Sequence, residues 1–143
     1  MRRIRGAGAG LRVAWSRRRR RRHTDDLLEV ARVSFVRLQH AWDNADWPAV
    51  RTIAAEALVD ELREQVAHRY GAGNGQRTRV LTLEARLLAL DELLEAEVAS
   101  VEFGGLLRER DDSGAVPFRE LWLLAKLRNG DAGWRLMRVQ SLL

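Results

Sequence analysis

The clearest pattern along the chain is an apolar stripe at three- and four-residue steps between residues 26 and 45. This spacing places side chains on one face of an α-helix. The stripe consists of Leu27, Leu28, Ala31, Phe35, Leu38, Ala41 and Trp42. Asp25 or Asp26 can cap the start of the helix, because a short acidic side chain accepts a bond from a free backbone N–H. The sequence therefore predicts one long amphipathic helix over residues 26–45.

Two more helices are predicted between this helix and residue 70. Asp46 can cap the second, with Pro48 in its first turn, where a missing N–H costs nothing. The third covers about residues 56–70, with Leu58 and Leu62 facing inward. Glycines from residue 71 onward stop it, because glycine readily takes the left-handed conformation that ends helices.

From residue 77 the apolar period changes to two, which is typical of strands. Strands are predicted over residues 78–90, 95–108, 117–128 and 133–142, although a helix over 79–95 competes with the first. Gly104 and Gly105 should interrupt the second strand as a bulge or bend. Residues 111–114 predict one turn, and Asn129-Gly130 predicts a hairpin. The fold class is α+β, with N-terminal helices packed on one face of a curved antiparallel sheet.

Charge divides the 143-residue chain into two parts. Residues 1–22 hold ten Arg and no acid, whereas residues 23–143 hold 15 basic and 20 acidic residues, a net charge of −5. Like charges at that density repel one another, so we predict a disordered Arg-rich tail over residues 1–23. Residues 24–143 then form one α+β domain. A solubilising tail or a misassigned start codon would explain the same pattern.

The basic tail predicts an anionic partner, either a lipid surface or nucleic acid. The candidate contacts to anionic membrane or phosphate are Trp15, Arg17, Arg18, Arg19, Arg20, Arg21 and Arg22. No stretch has 18 consecutive apolar residues, so no transmembrane helix is predicted. We therefore expect any contact with a lipid surface to be peripheral, and the absence of cysteine is compatible with a cytoplasmic protein.

Catalytic and metal-binding patterns are weak throughout the sequence. The chain has no cysteine, and His23, His40 and His68 lack the spacing of metal ligands, so neither a metal nor a cofactor is expected. Four strand carboxylates are candidates for a general base with a raised pKa. They are Glu84, Glu97, Glu102 and Glu120. Alternating glutamates more often form the solvated face of a sheet, so we expect no enzyme activity.

Five tryptophans occur, and four of them lie after residue 23. Large aromatic side chains usually belong to the core. The alternative is a ligand pocket between helices and sheet. Its lining would be Trp42, Trp47, Phe103 and Trp122.

Four stretches in this order and spacing resemble the Tim44-like domain in its bacterial form. They are Phe-Val-Arg-Leu-Gln-His-Ala-Trp-Asp from residue 35, Val-Ala-Ser-Val-Glu-Phe-Gly-Gly-Leu-Leu-Arg-Glu from residue 98, Pro-Phe-Arg-Glu-Leu-Trp from residue 117, and Gly-Trp-Arg-Leu from residue 133 running to Gln140. The family's namesake domain belongs to the mitochondrial subunit that tethers the import motor to the inner-membrane translocase. The resemblance covers about residues 26–142.

This resemblance implies a cone-shaped fold like nuclear transport factor two, with a pocket between helices and sheet. It also implies peripheral membrane contact or protein tethering without catalysis, and bacterial members are described as lipid-binding transport proteins. Two departures stand out. Only residues 6–15 remain of the hydrophobic or glycine-rich segment that bacterial members carry ahead of the domain. The last strand has Arg138 where relatives have a small residue.

The function predicted from these observations is a non-enzymatic membrane-associated domain at the inner face of a bacterial membrane. It would bind lipid or a protein partner, as a lipid-binding protein or an adaptor in protein translocation. One alternative is an RNA- or ribosome-associated module that uses the Arg-rich tail against phosphate. Another is a small-molecule enzyme of the same fold.

Overall fold

The computed structural model describes the backbone of residues 2–70, 77–130 and 133–143, and the side chains of residues 21–64, 77–130 and 133–143. Within these residues the helices are α1 (Arg2–Asp43), α2 (Trp47–Ile53) and α3 (Glu56–Tyr70). The strands that follow are β1 (Arg79–Glu92), β2 (Ala96–Arg108), β3 (Val116–Leu127) and β4 (Arg135–Ser141). Apart from the start of α1, each boundary lies within two residues of the predicted one.

The four strands form one antiparallel sheet in the order β1-β2-β3-β4. Val101 in β2 lies opposite Leu87 in β1 and Trp122 in β3, which fixes the register at the centre of the sheet. The alternating pattern of β1 buries its apolar positions only if the segment is a strand, so the competing helix over residues 79–95 is wrong. The predicted α+β arrangement, with helices on one face of an antiparallel sheet, is confirmed.

Helix α1 begins far earlier than the predicted start at residue 26. Arg and Ala favour helix, and no proline interrupts residues 2–43, so the segment before Asp26 continues the same helix. Asp26 therefore lies inside α1 and does not cap it. The predicted disorder of the free tail stays a prediction, and the side chains of residues 1–20 lie outside the described part.

Two local predictions about turns and strands have different outcomes. Asp46 caps α2 by accepting a hydrogen bond from the backbone N–H of Ala49 at 3.3 Å, as expected. Gly104 and Gly105 do not interrupt β2, and the two register shifts of this strand pair lie in β1, between Val80 and Thr82 and between Leu87 and Ala89. A Cβ on Gly105 would sit 2.1 Å from the Thr82 carbonyl oxygen, so glycine is required for this close approach of the two strands.

The core forms where α1, α2 and α3 cover one face of the sheet. Phe35 of α1 lies at its centre, with ring centroids 4.8 Å from Phe103, 5.2 Å from Phe118 and 5.3 Å from Trp122. Phe35, Phe103 and Trp122 are fully buried. Trp42, which was expected to be buried with them, is only partly buried at the edge of this core.

We predict that Phe35→Ala lowers the free energy of unfolding by about 3–5 kcal/mol, because it empties the centre of the aromatic cluster. Urea denaturation followed by circular dichroism measures this loss. Val33→Ala is the control, since Val33 lies on the same helix and is 46% exposed. It should cost less than about 1 kcal/mol. Equal losses in the two variants would show that α1 does not depend on this contact.

Candidate functional site

The four aromatic residues predicted to line a pocket lie in two different environments. Phe103 and Trp122 are fully buried and meet edge to face, with centroids 4.9 Å apart. Trp42 and Trp47 are partly buried, and the Arg63 guanidinium lies 5.2 Å from the Trp47 ring. None of these four residues lines the clefts described below. The aromatic pocket stays a prediction.

A groove of about 530 Å³ runs along one side of α1, and we call it the α1–α2 groove. The wall on α1 is formed by residues at three- and four-residue steps: His23, Asp26, Leu27, Val30, Ser34 and Arg37. The opposite side is formed by Thr52 and Ile53 of α2 together with Lys126, Gly133 and Trp134. At about 1.5 Å rise per residue, His23 and Arg37 stand about 21 Å apart, so the groove is elongated.

The two ends of the α1–α2 groove differ in charge. At one end, His23 Nε2 lies 2.6 Å from Glu97 Oε2, and its ring is 6.4 Å from Trp134. Lys126 lies directly across the sheet from Glu97, although no ion pair within 4 Å joins their side chains. At the other end, the exposed Arg37 forms no ion pair with any residue in the described part of the chain.

A second cleft of about 750 Å³ lies on the other side of α1, against the start of β1. Both carboxylate oxygens of Asp43 accept hydrogen bonds from Thr78, one from its backbone N–H and one from its hydroxyl. Burial raises the pKa of Asp43, and the two bonds from Thr78 oppose that effect. These two bonds join the end of α1 to the residue that precedes β1.

Three of the four candidate carboxylates are solvated or paired with a basic residue. Glu84 is exposed. Glu102 accepts hydrogen bonds from Arg119 Nε at 3.1 Å and from Arg86 at 3.3 Å. The bond from Arg119 holds the pKa of Glu102 below its usual value. These contacts describe a charged outer surface of the sheet.

Glu120, the fourth candidate carboxylate, has a raised pKa. It precedes Trp122 by two positions on β3, so its side chain lies on the same, helix-covered face of the sheet. Burial raises the pKa of Glu120, and a 3.0 Å hydrogen bond donated by Trp122 Nε1 opposes this in part. Glu120 lines neither the α1–α2 groove nor the cleft at Asp43.

Comparison with known proteins identifies the family of this chain. The sequence model of the Tim44-like domain matches residues 14–141. The chain belongs to the Tim44-like domain family. A search of curated proteins found no match to this sequence.

Two solved structures are similar to the Tim44-like chain at low sequence identity. A nuclear transport factor 2 (NTF2-like) superfamily protein from Salmonella enterica is 19% identical, with a TM-score of 0.41. That match covers 82% of this chain and 91% of the other. A ketosteroid isomerase-like protein from Erwinia carotovora is 12% identical, with a TM-score of 0.43, covering 81% and 96% of the two chains.

The run from Arg17 to Arg22 falls inside the Tim44-like match, which begins ten residues before the predicted domain boundary at residue 24. Arg21 and Arg22 are exposed on α1. The side chains of Trp15 and Arg17 to Arg20 lie outside the described residues, so their predicted contacts stay predictions. Among the described residues, no helix has both the length and the apolar character needed to cross a membrane.

Sequence reasoning missed the α1–α2 groove of this Tim44-like chain. Neither Trp134 nor Lys126, the single lysine of the chain, was a candidate lining residue. One signal was present: Val30 and Ser34 fall beside the apolar stripe, at helical spacing from Arg37. No clusters of three or more metal-ligating side chains occur in the part of the chain that the structure covers.

The raised pKa of Glu120 predicts a pH-dependent stability. Its folded pKa lies above the usual value of 4.5, so its protonated form favours folding, and this contribution is lost as the pH rises above 4.5. We expect Glu120→Gln to raise the free energy of unfolding at pH 7 relative to the original protein. The difference should shrink as the pH falls toward 4, in urea denaturation at both pH values.

Glu84→Gln provides the matched control for this measurement, because Glu84 is exposed on the same sheet. It should change stability little at either pH. If Glu120→Gln destabilised the protein at pH 7 as much as at pH 4, the ionised form of Glu120 would be making a favourable contact, contrary to our interpretation.

Proposed function

We propose that this Tim44-like chain is a non-enzymatic binding or tethering domain that associates with the anionic inner face of a bacterial membrane. Membership of the Tim44-like family supports a binding or adaptor domain. The membrane part is supported chiefly by one observation. The Arg-rich segment and the segment that covers the sheet belong to the same helix, α1.

Because α1 is continuous, attachment of its N-terminal part to a membrane would also orient the domain. Phe35, Leu27 and Leu38 hold α1 on the sheet and are buried. Arg21 and Arg22 lie fewer than two helical turns before Leu27, so a surface that binds them also fixes where the domain stands. A flexible linker would attach the domain without orienting it.

The Arg-rich segment is the part of the chain whose charge favours contact with an anionic bilayer. Residues 23–143 carry a net charge of −5, so the rest of the chain is repelled overall by an anionic bilayer. Each Arg near such a surface contributes about 1 kcal/mol. Six consecutive Arg, from residue 17 to residue 22, would then contribute up to about 6 kcal/mol, which supports attachment of the domain to the membrane.

The clefts beside α1 provide places where a lipid or a protein partner can bind. The α1–α2 groove and the cleft at Asp43 lie on opposite sides of the helix that carries the Arg-rich segment. Helix α1 contains the basic segment and forms one wall of each cleft. Attachment of this helix to a membrane would therefore hold both clefts at a fixed distance from the membrane surface. This arrangement supports an adaptor function in lipid or protein transport.

We expect a triple variant, with Gln in place of Arg20, Arg21 and Arg22, to lose most of its binding to anionic vesicles at physiological salt. Three Arg at the surface contribute up to about 3 kcal/mol, or roughly 100-fold in affinity. Sedimentation with phosphatidylglycerol vesicles measures the change. Gln in place of Arg79, Arg110 and Arg138 is the control, because it removes the same charge from exposed positions of the domain.

Equal losses in the two triple variants would mean that net charge alone controls binding, which contradicts a specific membrane segment. Competition separates lipid from nucleic acid, since salt weakens both interactions. Vesicles should displace a fluorescent RNA from the protein. If RNA instead displaced the vesicles at equal phosphate concentration, the membrane proposal would be wrong.

A further inference from the structure

Strand β1 is the open edge of the sheet. In the order β1-β2-β3-β4, it pairs with a neighbouring strand on one side only. The other edge strand, β4, is partly closed, because the backbone N–H of Ala55 donates a 2.8 Å hydrogen bond to the Leu136 carbonyl oxygen. Among the residues that the structure describes, no backbone–backbone hydrogen bond joins β1 to an element outside the sheet. The outward N–H and C=O groups of this 14-residue strand therefore form a template for another strand.

The charged residues on the uncovered face of β1 are arranged symmetrically around Ala85. Ala85 packs against the core, so its neighbours Glu84 and Arg86 face away from the helices. Arg79 and Asp91 lie six positions before and after Ala85, on the same uncovered face. Opposite charges therefore stand at equal distances on the two sides of Ala85. We call Glu84 with Arg86 the inner pair, and Arg79 with Asp91 the outer pair.

This symmetry makes the edge complementary to a second copy of itself. If two β1 strands pair antiparallel with Ala85 opposite Ala85, residues at equal distances before and after it lie opposite each other. Glu84 of each copy then faces Arg86 of the other. In the same way, Arg79 of each copy faces Asp91 of the other. Cross-strand pairs of opposite charge are favourable at this spacing, so one pairing satisfies both the inner and the outer pair.

The charges of both pairs are available for such contacts. Arg79, Glu84 and Asp91 are exposed and form no ion pair with any described residue of their own chain. The side chain of Arg86 is 70% exposed and lies 3.3 Å from Glu102. Because a guanidinium carries five N–H donors, Arg86 can keep this contact and still reach a second carboxylate.

The irregularities of β1 fall on both sides of its centre. Its register against β2 shifts between Val80 and Thr82 and again between Leu87 and Ala89. The regular run between these shifts contains the inner pair. In an antiparallel dimer, the half of β1 before Ala85 faces the half after Ala85 of the second copy, and each half contains one shift. One extra residue then faces another, so the outer pair stays in register.

The helix-covered side of the same pairing is apolar. Leu83 and Leu87 are only partly buried beside the core. Pairing around Ala85 would place Leu83 of each copy opposite Leu87 of the other. The apolar surface that these side chains still expose would then be covered, which favours association.

Other registers of the same two strands are disfavoured. A shift of two residues is the smallest one that keeps each side chain on its own face. Such a shift places Glu84 opposite Glu84, or Arg86 opposite Arg86, and like charges directly opposite are destabilising. Exposed ion pairs contribute little affinity, so backbone hydrogen bonds and apolar contacts would hold the strands together while the charges select the register.

We propose that β1 pairs antiparallel with β1 of a second copy, with Ala85 on the two-fold axis, so that the two sheets become one continuous sheet. The contact is isologous, because the same residues of both copies meet. The dimer is independent of the proposed function, since the Arg-rich segment takes no part in it.

Charge reversal at the inner pair tests the register directly. Glu84→Arg places two Arg side chains opposite each other in the dimer, and Arg86→Glu places two Glu side chains opposite each other. Each full-length variant alone should dimerise about tenfold more weakly than the original protein in sedimentation equilibrium. An equimolar mixture should recover dimers, because the inner pair is then positive in one variant and negative in the other. Native mass spectrometry should identify these dimers as mixed. Variants that stay dissociated after mixing would overturn the proposal.

Arg119→Glu is the matched control for Arg86→Glu. Arg119 also pairs with Glu102, at 3.1 Å, but it lies on β3, away from the open edge. Its reversal should leave the dimerisation constant unchanged. Equal weakening by both reversals would show a general effect of charge and would overturn the assignment to β1.

Hydrogen exchange followed by NMR tests the backbone pairing. Alternate amide protons of β1 should exchange more slowly at high protein concentration than at low concentration, whereas those of β4 should not change. A dimer without this protection would lie on another surface and would overturn the proposal. A chain that remains monomeric at about 1 mM would also overturn it, and would leave the edge to an extended segment of a different protein.

Discussion

The packing of Phe35 against the sheet is the interaction on which the rest of the structure depends. One ring on α1 contacts Phe103, Phe118 and Trp122, which belong to two adjacent strands. This cluster fixes where α1 crosses the sheet, since a buried aromatic side chain cannot shift without opening a cavity. The positions of both flanking clefts follow, because each is bounded on one side by α1.

Helix α1 therefore combines roles that many proteins divide among several elements. Its buried face closes the core, its sides bound the α1–α2 groove and the cleft at Asp43, and its N-terminal part carries the Arg-rich segment. The outer surface of the sheet, which α1 does not cover, is charged: Glu102 forms ion pairs there with Arg86 and Arg119. Glu120, which is partly buried on the helix-covered face, accepts a hydrogen bond from Trp122 and lines neither of the two clefts.

The sequence by itself determined the secondary structure and the layer arrangement. Apolar spacing identified the core face of α1, and alternation identified the four strands, because each period buries one face only in one kind of element. The start of α1 was predicted wrongly because Asp26 satisfies the pattern of a cap. A cap is required only where a helix ends, and the Arg-rich residues before it are equally good helix formers.

Only the tertiary structure decided which side chains meet at a site. His23, Arg37, Thr52 and Trp134 line one groove although up to 111 positions separate them. Periodicity specifies the face that a helix buries, but not its lateral position on the sheet or which neighbouring element lies beside it. Those depend on how Phe35 interlocks with side chains from distant strands, a property of three-dimensional packing that no local pattern encodes.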